Sequence, residues 1–197
     1  MRRALGAGRR RSPRVRVAVP LFLALAVAAG AAWWGAGRSA HRPGSAAWRA
    51  VERDLAARFS DVPTTTPDAL AARLADATDA PLLLDARTAE EVAVSHLPGA
   101  RRVDPDATAA ELADALADVD RQRPVVVYCA VGVRSAGVAR RLRAAGFARV
   151  ENLEGSIFRW ANEGRPLVRD GRPVREVHPY DAVWGRLLAP ERRADGS

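Results

Sequence analysis

The sequence predicts an α/β domain in which a parallel sheet of about five strands is covered by helices on both faces. Two segments, Pro81–Asp85 and Pro124–Tyr128, are short and almost wholly apolar, which is typical of strands buried on both faces of a sheet. Segments with helical spacing or helix-capping residues alternate with such strands. Because consecutive parallel strands need a crossover connection, this alternation favours right-handed strand–helix–strand units.

The first 37 residues have the composition of a membrane anchor. Residues 1–16 contain seven Arg, and the 21 residues 17–37 carry no charge. At about 1.5 Å of rise per residue such a helix spans roughly 30 Å, the thickness of a hydrocarbon core. We therefore expect an Arg-rich cytoplasmic tail, a single transmembrane helix or signal anchor in the cell (inner) membrane, and an extracytoplasmic domain. The alternative is a signal peptide, whose cleavage leaves a secreted or periplasmic protein.

Residues 38–60 are predicted to form a linker and an amphipathic helix. The apolar residues of this segment are three or four positions apart, as on one face of a helix, and are Trp48, Val51, Leu55 and Phe59. We expect this face to pack on the domain that follows, residues 61–169.

Strand-like and helix-capping patterns alternate through residues 61–169. Thr66 as N-cap and Pro67 at the first helical position begin a helix that runs to about Ala75. Two further helices are preceded by capping-box pairs, which are Thr88 with Glu91 and Thr108 with Glu111. The later helices are predicted at Ser135–Ala145 and Ile157–Asn162. Strands are predicted at Val62–Thr65, Pro81–Asp85, Arg101–Val103, Pro124–Tyr128 and Ala148–Glu151.

Composition excludes several classes of function. One Cys and three separated His cannot supply a structural zinc site or an iron–sulfur cluster, and no metal or other cofactor is expected. Nine of the 31 basic residues precede Ser45, whereas the first acidic residue is Glu52, so the remainder of the chain is nearly neutral despite a net charge of +8. No basic stripe is left to bind a phosphate backbone, and we expect no nucleic-acid partner. All basic residues are Arg, which excludes Schiff-base chemistry on Lys.

The chemistry is concentrated in the loop that follows the most apolar predicted strand. Cys129 comes directly after that strand, where parallel sheets place their ligand crevice. The segment up to Ser135 leads into a helix N-terminus, so its backbone N–H groups can surround the sulfur. Gly132 permits the tight curvature. The helix dipole, these N–H groups and Arg134 are expected to stabilise a thiolate and to lower the pKa of Cys129.

Five short motifs follow one another along residues 62–168. They are Leu84-Asp85-Ala86-Arg87 with Glu90-Glu91, His96-Leu97-Pro98-Gly99-Ala100, Tyr128-Cys129 through Arg134-Ser135, Gly146-Phe147, and Leu153-Glu154-Gly155 with Trp160. In this order they resemble the motifs of single-domain rhodaneses, sulfurtransferases whose active loop starts with Cys and closes into a helix.

The resemblance implies a three-layer α/β/α domain with a five-stranded parallel sheet. It also implies that Cys129 accepts a sulfane sulfur from thiosulfate or a persulfide donor, becomes a persulfide, and passes the sulfur to a thiol or cyanide acceptor. The residues implied to bind the substrate are Ala130, Val131, Gly132, Val133, Arg134 and Ser135. Ala130 and Val131 are apolar where some thiosulfate-using relatives carry charge, so attraction of an anion falls to Arg134 and the backbone.

Two other functions remain as alternatives. One is a non-catalytic protein-binding module of rhodanese fold at the membrane, in which the cysteine is inherited but unused. The other is a phosphatase or arsenate reductase. Those related enzymes have a loop one residue longer than the six from Cys129 to Arg134, and the smaller cradle here suits one sulfur atom better than a tetrahedral oxyanion.

Three polar residues near the site are interpreted as structural. Asp85 and Arg87 are predicted to form an ion pair in the wall of the crevice rather than a second catalytic pair. His96, in a Pro-Gly turn, is predicted to anchor that turn by a hydrogen bond.

Residues 170–197 form a C-terminal extension that we expect to pack across the domain, and its aromatic residues are candidates for docking a partner.

Overall fold

The computed structural model describes residues 40–76 and 78–195. These residues form an α/β fold with seven strands, six helices and two short 3₁₀ turns. The strands are β1 (Thr64–Thr65), β2 (Leu82–Asp85), β3 (Arg101–Arg102), β4 (Val125–Tyr128), β5 (Val150–Leu153), β6 (Leu167–Arg169) and β7 (Arg172–Val174). The helices are α1 (Ala46–Arg58), α2 (Pro67–Ala75), α3 (Ala89–Val94), α4 (Ala109–Ala115), α5 (Val133–Ala144) and α6 (Ser156–Asn162). The 3₁₀ turns are Trp184–Leu187 and Pro190–Arg192.

The main sheet has five parallel strands in the order β1-β5-β4-β2-β3, which confirms the predicted fold class. Strand β4 is central, with Val127 paired to Leu84 of β2 on one side and to Asn152 of β5 on the other. All four residues of β4 are buried. A continuous apolar run is therefore required here, because helices cover both faces of this strand.

Two hydrophobic clusters lie on opposite faces of the sheet, as the alternation of side chains along β4 requires. Val126 and Tyr128 belong to the cluster covered by α1, α2 and α6, and Val125 and Val127 belong to the cluster covered by α4 and α5. The predicted amphipathic helix α1 packs on the domain through Trp48 and Val51.

The helix starts follow the capping residues predicted from the sequence. The side chain of Thr66 accepts a hydrogen bond from the amide of Ala69. Both capping boxes form, so each threonine and its glutamate satisfy one another's backbone donors. The first backbone N–H groups of a helix have no partner within the helix, and these caps provide one.

Two element boundaries differ from prediction near the site. Strand β5 runs over Val150–Leu153 rather than Ala148–Glu151, because its register is set by parallel pairing with β4 and β1. Its Glu-Asn segment has low intrinsic strand preference, which the neighbouring strands override. Helix α5 begins at Val133, two residues earlier than predicted, because Gly132 adopts a left-handed N-cap conformation.

The C-terminal segment is part of the same packed unit. Strands β6 and β7 form an antiparallel hairpin that the sequence analysis did not predict. Val177, Leu187 and Leu188 are buried in the cluster that contains Tyr128 and Trp160. Asn162 ties the segment to α6, since its side chain donates to the carbonyl of Leu187 at 2.7 Å.

The proposed Arg-rich tail and membrane segment, residues 1–16 and 17–37, lie outside the described residues. Across residues 40–76 and 78–195, none of the helices has both the length and the apolar character needed to cross a bilayer.

Candidate functional site

Cys129 lies at the carboxyl end of the central strand β4, at the start of the loop that leads into α5. Its backbone is held by the N-terminal end of α6, where the amide of Ile157 donates to the carbonyl of Cys129 at 3.2 Å and the amide of Phe158 donates to that of Ala130 at 3.1 Å. The loop is thereby fixed between two helix starts, and the cysteine residue is 1% exposed.

Backbone donors converge on the sulfur. The amide of Gly132 donates to Sγ of Cys129 at 3.2 Å. Because α5 begins at Val133, Ser135 is its third residue, and its N–H has no partner within the helix. That N–H is therefore free to donate to the sulfur, as a helix N-terminus does for an anion.

These donors set the protonation of the thiol. Burial raises the pKa of Cys129, but the positive charge of Arg134, the hydroxyl and amide of Ser135 and the amide of Gly132 oppose it. The opposing interactions outweigh burial, so the pKa of the thiol lies below its ordinary value. The direction agrees with the sequence prediction, and it favours a nucleophilic thiolate.

Gly132 is required at the turn of the loop. Its φ of +111° is in the left-handed region, and a Cβ built there would lie 3.1 Å from Cδ1 of Leu55 on α1. A side chain at this position would be strained and crowded at the same time. The close approach of Leu55 also shows that α1 packs against the turn of the loop.

Ser135 and Asn152 form a buried polar pair behind the loop. The hydroxyl of Ser135 donates to Oδ1 of Asn152 at 2.7 Å, and Nδ2 of Asn152 donates to the carbonyl of Gly132 at 3.1 Å. The hydroxyl has one proton, and the sulfur of Cys129 is a second acceptor within its reach. Ionisation of the thiol strengthens the competition for that proton, which couples Asn152 to the charge on the sulfur.

Ser156 supports the cysteine from the other side. Its hydroxyl accepts a hydrogen bond from the amide of Cys129 at 3.1 Å and donates to the carbonyl of Leu153 at 3.3 Å. Ser156 is fully buried and has a φ of +49°. It is a positioning residue for the loop, since it contacts the backbone of Cys129 rather than the sulfur.

Arg134 is held by Glu91 of α3. Its two terminal nitrogens donate to the two carboxylate oxygens at 2.6 and 2.7 Å, and the Glu91 side chain is only 3% exposed. Burial raises the pKa of Glu91, but the hydrogen bonds and charge of Arg134 outweigh it, so the pKa lies below its ordinary value. The guanidinium also stacks on the ring of Tyr180, 4.8 Å from its centroid. The Arg134 guanidinium, which was expected to attract an anionic donor, is therefore already paired with a protein carboxylate.

The ion pair predicted between Asp85 and Arg87 is present and buried. Nη2 of Arg87 donates to Oδ2 of Asp85 at 2.6 Å and to the carbonyl of Ser95 at 2.6 Å. Arg87 is fully buried and lies next to Glu91, whose carbonyl accepts from Nη1. This cluster fixes α3, and through Glu91 it fixes the position of Arg134.

His96 lies away from the sulfur. Its Nδ1 is 3.4 Å from the carbonyl of Val92, and its backbone pairs with Val168 of the β6–β7 hairpin. It is not among the residues that line the cavity at Cys129. Across the described part of the chain, no three His, Cys, Asp or Glu side chains cluster as metal ligands would.

A small cavity of about 50 Å³ opens at Cys129. Its lining includes loop residues and two aromatic residues of the C-terminal segment, and consists of Cys129, Ala130, Val131, Val133, Arg134, Tyr180 and Trp184. Five of the seven predicted loop residues line this cavity. The other two, Gly132 and Ser135, do not line it and instead donate hydrogen bonds to the sulfur.

Five residues that shape the site were not assigned to it from the sequence. Glu91 was identified as a helix cap and as part of a family motif but was not placed at the site, and Asn152 fell outside the predicted strand. Ser156, which follows the motif Leu153-Glu154-Gly155, was given no role. Tyr180 and Trp184, aromatic residues of the C-terminal extension, were considered only for docking a partner, because their place over the loop depends on how that segment packs.

Comparison with known proteins identifies relatives of this arrangement. The rhodanese-like domain family matches residues 66–163. A sulfurtransferase from Allochromatium vinosum is 36% identical over 101 residues, which cover 51% of this chain and 90% of that protein. The probable adenylyltransferase/sulfurtransferase MoeZ from Mycobacterium tuberculosis is 32% identical over 84 residues, which cover 43% of this chain but 21% of that protein.

A solved structure extends the likeness to the fold. The thiosulfate sulfurtransferase from Pseudomonas aeruginosa aligns with a TM-score of 0.50 and 25% identity, over 60% of this chain and 22% of that one. Tyr180 and Trp184 lie outside the residues that match the family.

Proposed function

The chain belongs to the rhodanese-like domain family, and from this membership we propose that it is a sulfurtransferase in which Cys129 carries the transferred sulfur as a persulfide. The observation that carries the proposal is the convergence of donors on the sulfur, with the amide of Gly132 at 3.2 Å and Ser135 at the start of α5. A pKa of Cys129 below its ordinary value supports the same role. The sulfurtransferases among its relatives make this the activity to test first.

In the first step, the thiolate of Cys129 attacks the outer, sulfane sulfur of a thiosulfate or persulfide donor. A new S–S bond forms at Cys129, and the donor's own S–S bond breaks with its electron pair leaving on sulfite or on a thiolate. The persulfide that results has an anionic outer sulfur. The N–H groups that face the cysteine are suited to stabilise this charge, because they are already oriented before the reaction.

In the second step, an acceptor thiolate or cyanide attacks the outer sulfur of the persulfide. The S–S bond at Cys129 breaks, and its electron pair returns to the cysteine as a thiolate. The acceptor leaves as a persulfide or as thiocyanate. The cycle is redox-neutral overall, so it needs no metal and no electron carrier, and neither step requires a histidine base.

The test is intact-mass analysis of the purified protein after exposure to thiosulfate, to sodium polysulfide and to an alkyl persulfide. We expect the mass of one added sulfur atom, its loss on addition of cyanide, and release of thiocyanate. Cys129→Ser is the matched control, because it removes the chain's one cysteine and keeps a side chain of similar size. Absence of the added sulfur with all three donors would leave the non-catalytic binding module as the function, and turnover of an aryl phosphate would favour the phosphatase.

We also propose that residues 17–37 anchor the domain on the outer side of the cell membrane. The uncharged length of this segment and the seven Arg before it support the proposal. Membrane fractions should retain the protein after alkaline carbonate extraction, and external protease should degrade the domain in spheroplasts. Recovery in the soluble periplasmic fraction, with a mature N-terminus that follows a small-residue triplet such as Ala29-Gly30-Ala31, would instead indicate a cleaved signal peptide.

A further inference from the structure

Among the described residues that line the cavity at Cys129, Arg134 is the one with a charged side chain, and Glu91 already pairs with it. Both terminal nitrogens donate to Glu91, and one face of the guanidinium is covered by the ring of Tyr180. The Glu91 carboxylate is nearly inaccessible, so its side of the pair is shielded from solvent. Among the described residues, a dianion entering the cavity therefore meets only a guanidinium whose charge a carboxylate already balances, and it gains less there than from an unpaired arginine.

The rest of the lining is apolar. Ala130, Val131 and Val133 come from the loop, and the ring of Trp184 comes from the C-terminal segment. Ala130 and Val131 are buried, and Val133 and Trp184 pack against the same hydrophobic cluster. The wall that an incoming molecule meets beside the sulfur is thus built from alkyl and aromatic groups.

The aromatic part of this wall is held in place by local hydrogen bonds. Oδ1 of Asp181 accepts from the amides of Val183 and Trp184, each at 2.8 Å. The amide of Tyr180 donates to Nδ1 of His178 at 3.0 Å. These bonds form an ordered turn, so Tyr180 and Trp184 are set beside the cavity before any ligand arrives.

The same turn is anchored to the core. The amide of Ala189 donates to Oδ1 of Asn162 at 2.9 Å, and Leu187 and Leu188 are buried. The amide of Val177 donates to the carbonyl of Arg192 at 2.7 Å. Bonds on both sides of the turn keep its position fixed relative to the loop.

We propose that Tyr180 and Trp184 determine which sulfur acceptor reaches Cys129, and that they select a small thiol whose substituent is uncharged and aromatic. This inference rests on the proposed sulfur transfer and names its substrate class. A cavity of about 50 Å³ accommodates the reacting sulfur and the first atoms bonded to it. The substituent then extends past Trp184 toward Tyr180, which is 44% exposed and marks the rim.

A flat ring gains more from these walls than a charged or hydrated group does. Aromatic pairs prefer offset or edge-to-face contacts that Trp184 can provide. A sulfonate or a carboxylate at the same place loses its hydration and meets only the guanidinium whose charge Glu91 already balances. The selection therefore combines attraction of an aromatic thiol with rejection of an anionic one.

The test loads the full chain with sulfur from sodium polysulfide and then compares two acceptors of similar thiol pKa, benzyl mercaptan and 2-mercaptoethanesulfonate. We expect kcat/KM for benzyl mercaptan to exceed that for the sulfonate thiol by about tenfold, as one well-placed aromatic contact implies. Trp184→Ala should lower this ratio to about threefold or less. Arg186→Ala is the matched control, since Arg186 is exposed, lies in the same turn and does not line the cavity.

A second variant keeps the test decisive if Trp184→Ala does not fold. Tyr180→Ala removes a side chain that is 44% exposed, and it should also lower the ratio because it opens the rim and uncovers Arg134. A ratio near one in the unmodified chain, or a ratio that neither variant changes, would overturn the acceptor preference while leaving sulfur transfer intact. Failure of Cys129 to take up sulfur from polysulfide would instead overturn the proposed function itself.

Discussion

Replacing Ser135 with Ala tests directly whether the loop stabilises a charged sulfur. The hydroxyl of Ser135 is fully buried and lies between two acceptors, Oδ1 of Asn152 at 2.7 Å and the sulfur of Cys129. The variant removes the proton that these acceptors share. Ser135 and Asn152 are both buried behind the loop, so water does not readily replace the lost donor on that side of the sulfur.

The size of the effect follows from the charge on the acceptor. A hydrogen bond to a charged group contributes about 1.5–3 kcal/mol, and one pKa unit corresponds to about 1.36 kcal/mol. Ser135→Ala is therefore expected to raise the pKa of the Cys129 thiol by about one to two units. The amides of Gly132 and Ser135 and the charge of Arg134 remain, so the thiolate is weakened but not lost.

The assay is the ultraviolet absorbance of the thiolate as a function of pH, with the rate of alkylation as a second measurement. Both report on one group, because the chain contains a single cysteine. Ser156→Ala is the matched control, since its hydroxyl is equally buried but contacts the amide of Cys129 instead of the sulfur. The reasoning fails if Ser135→Ala leaves the midpoint within about 0.3 unit of the original, or if Ser156→Ala shifts it as far.

Three further predictions concern the scaffold of the site. Asp85→Asn leaves the charge of Arg87 buried without its carboxylate and should lower the free energy of unfolding in urea by about 3–5 kcal/mol. Asp118→Asn, in an exposed pair, should leave that free energy nearly unchanged, and similar losses in the two variants would contradict the prediction. Because the pKa of Glu91 lies below its ordinary value in the fold, its contribution to stability is complete above the unfolded pKa of about 4.3 and is lost as the pH falls through the lower folded pKa, so urea titrations of Glu91→Gln should show a weaker fall in acid than the unmodified chain. Gly132→Ala should destabilise the chain by about 1–3 kcal/mol and slow alkylation of the cysteine, since a methyl group at φ +111° meets Cδ1 of Leu55 at 3.1 Å; an unchanged alkylation rate would show that the loop tolerates the side chain.

The sheet and its helices were predictable because their signals are local. The apolar run Val125–Tyr128 identifies the central strand, and the pairs Thr88 with Glu91 and Thr108 with Glu111 identify two helix starts. Each signal acts within a few residues of chain, through burial of a continuous strand or through satisfaction of backbone donors. Strand β5 was displaced by two residues in the prediction, because its register depends on β1 and β4 rather than on its own residues.

The environment of the sulfur divides in the same way. The sequence by itself indicates that Cys129 follows a buried strand and precedes a helix, and that the turn of the loop needs a glycine at position 132. The partner of Arg134 is not, although Glu91 was recognised as a helix cap, because the two residues are 43 positions apart. Local patterns carry no information about which distant carboxylate neutralises a given arginine.

The sequence alone established the fold class, the nucleophile and the loop that presents it, since all three arise from interactions between residues that are close along the chain. Folding in three dimensions added the pairing of Arg134 with Glu91 and the aromatic wall of Tyr180 and Trp184. Charge neutralisation and the shape of a cavity arise from side chains that the chain brings together over long separations. For that reason the reacting atom was visible from the sequence, whereas the surroundings that we propose select its acceptor were not.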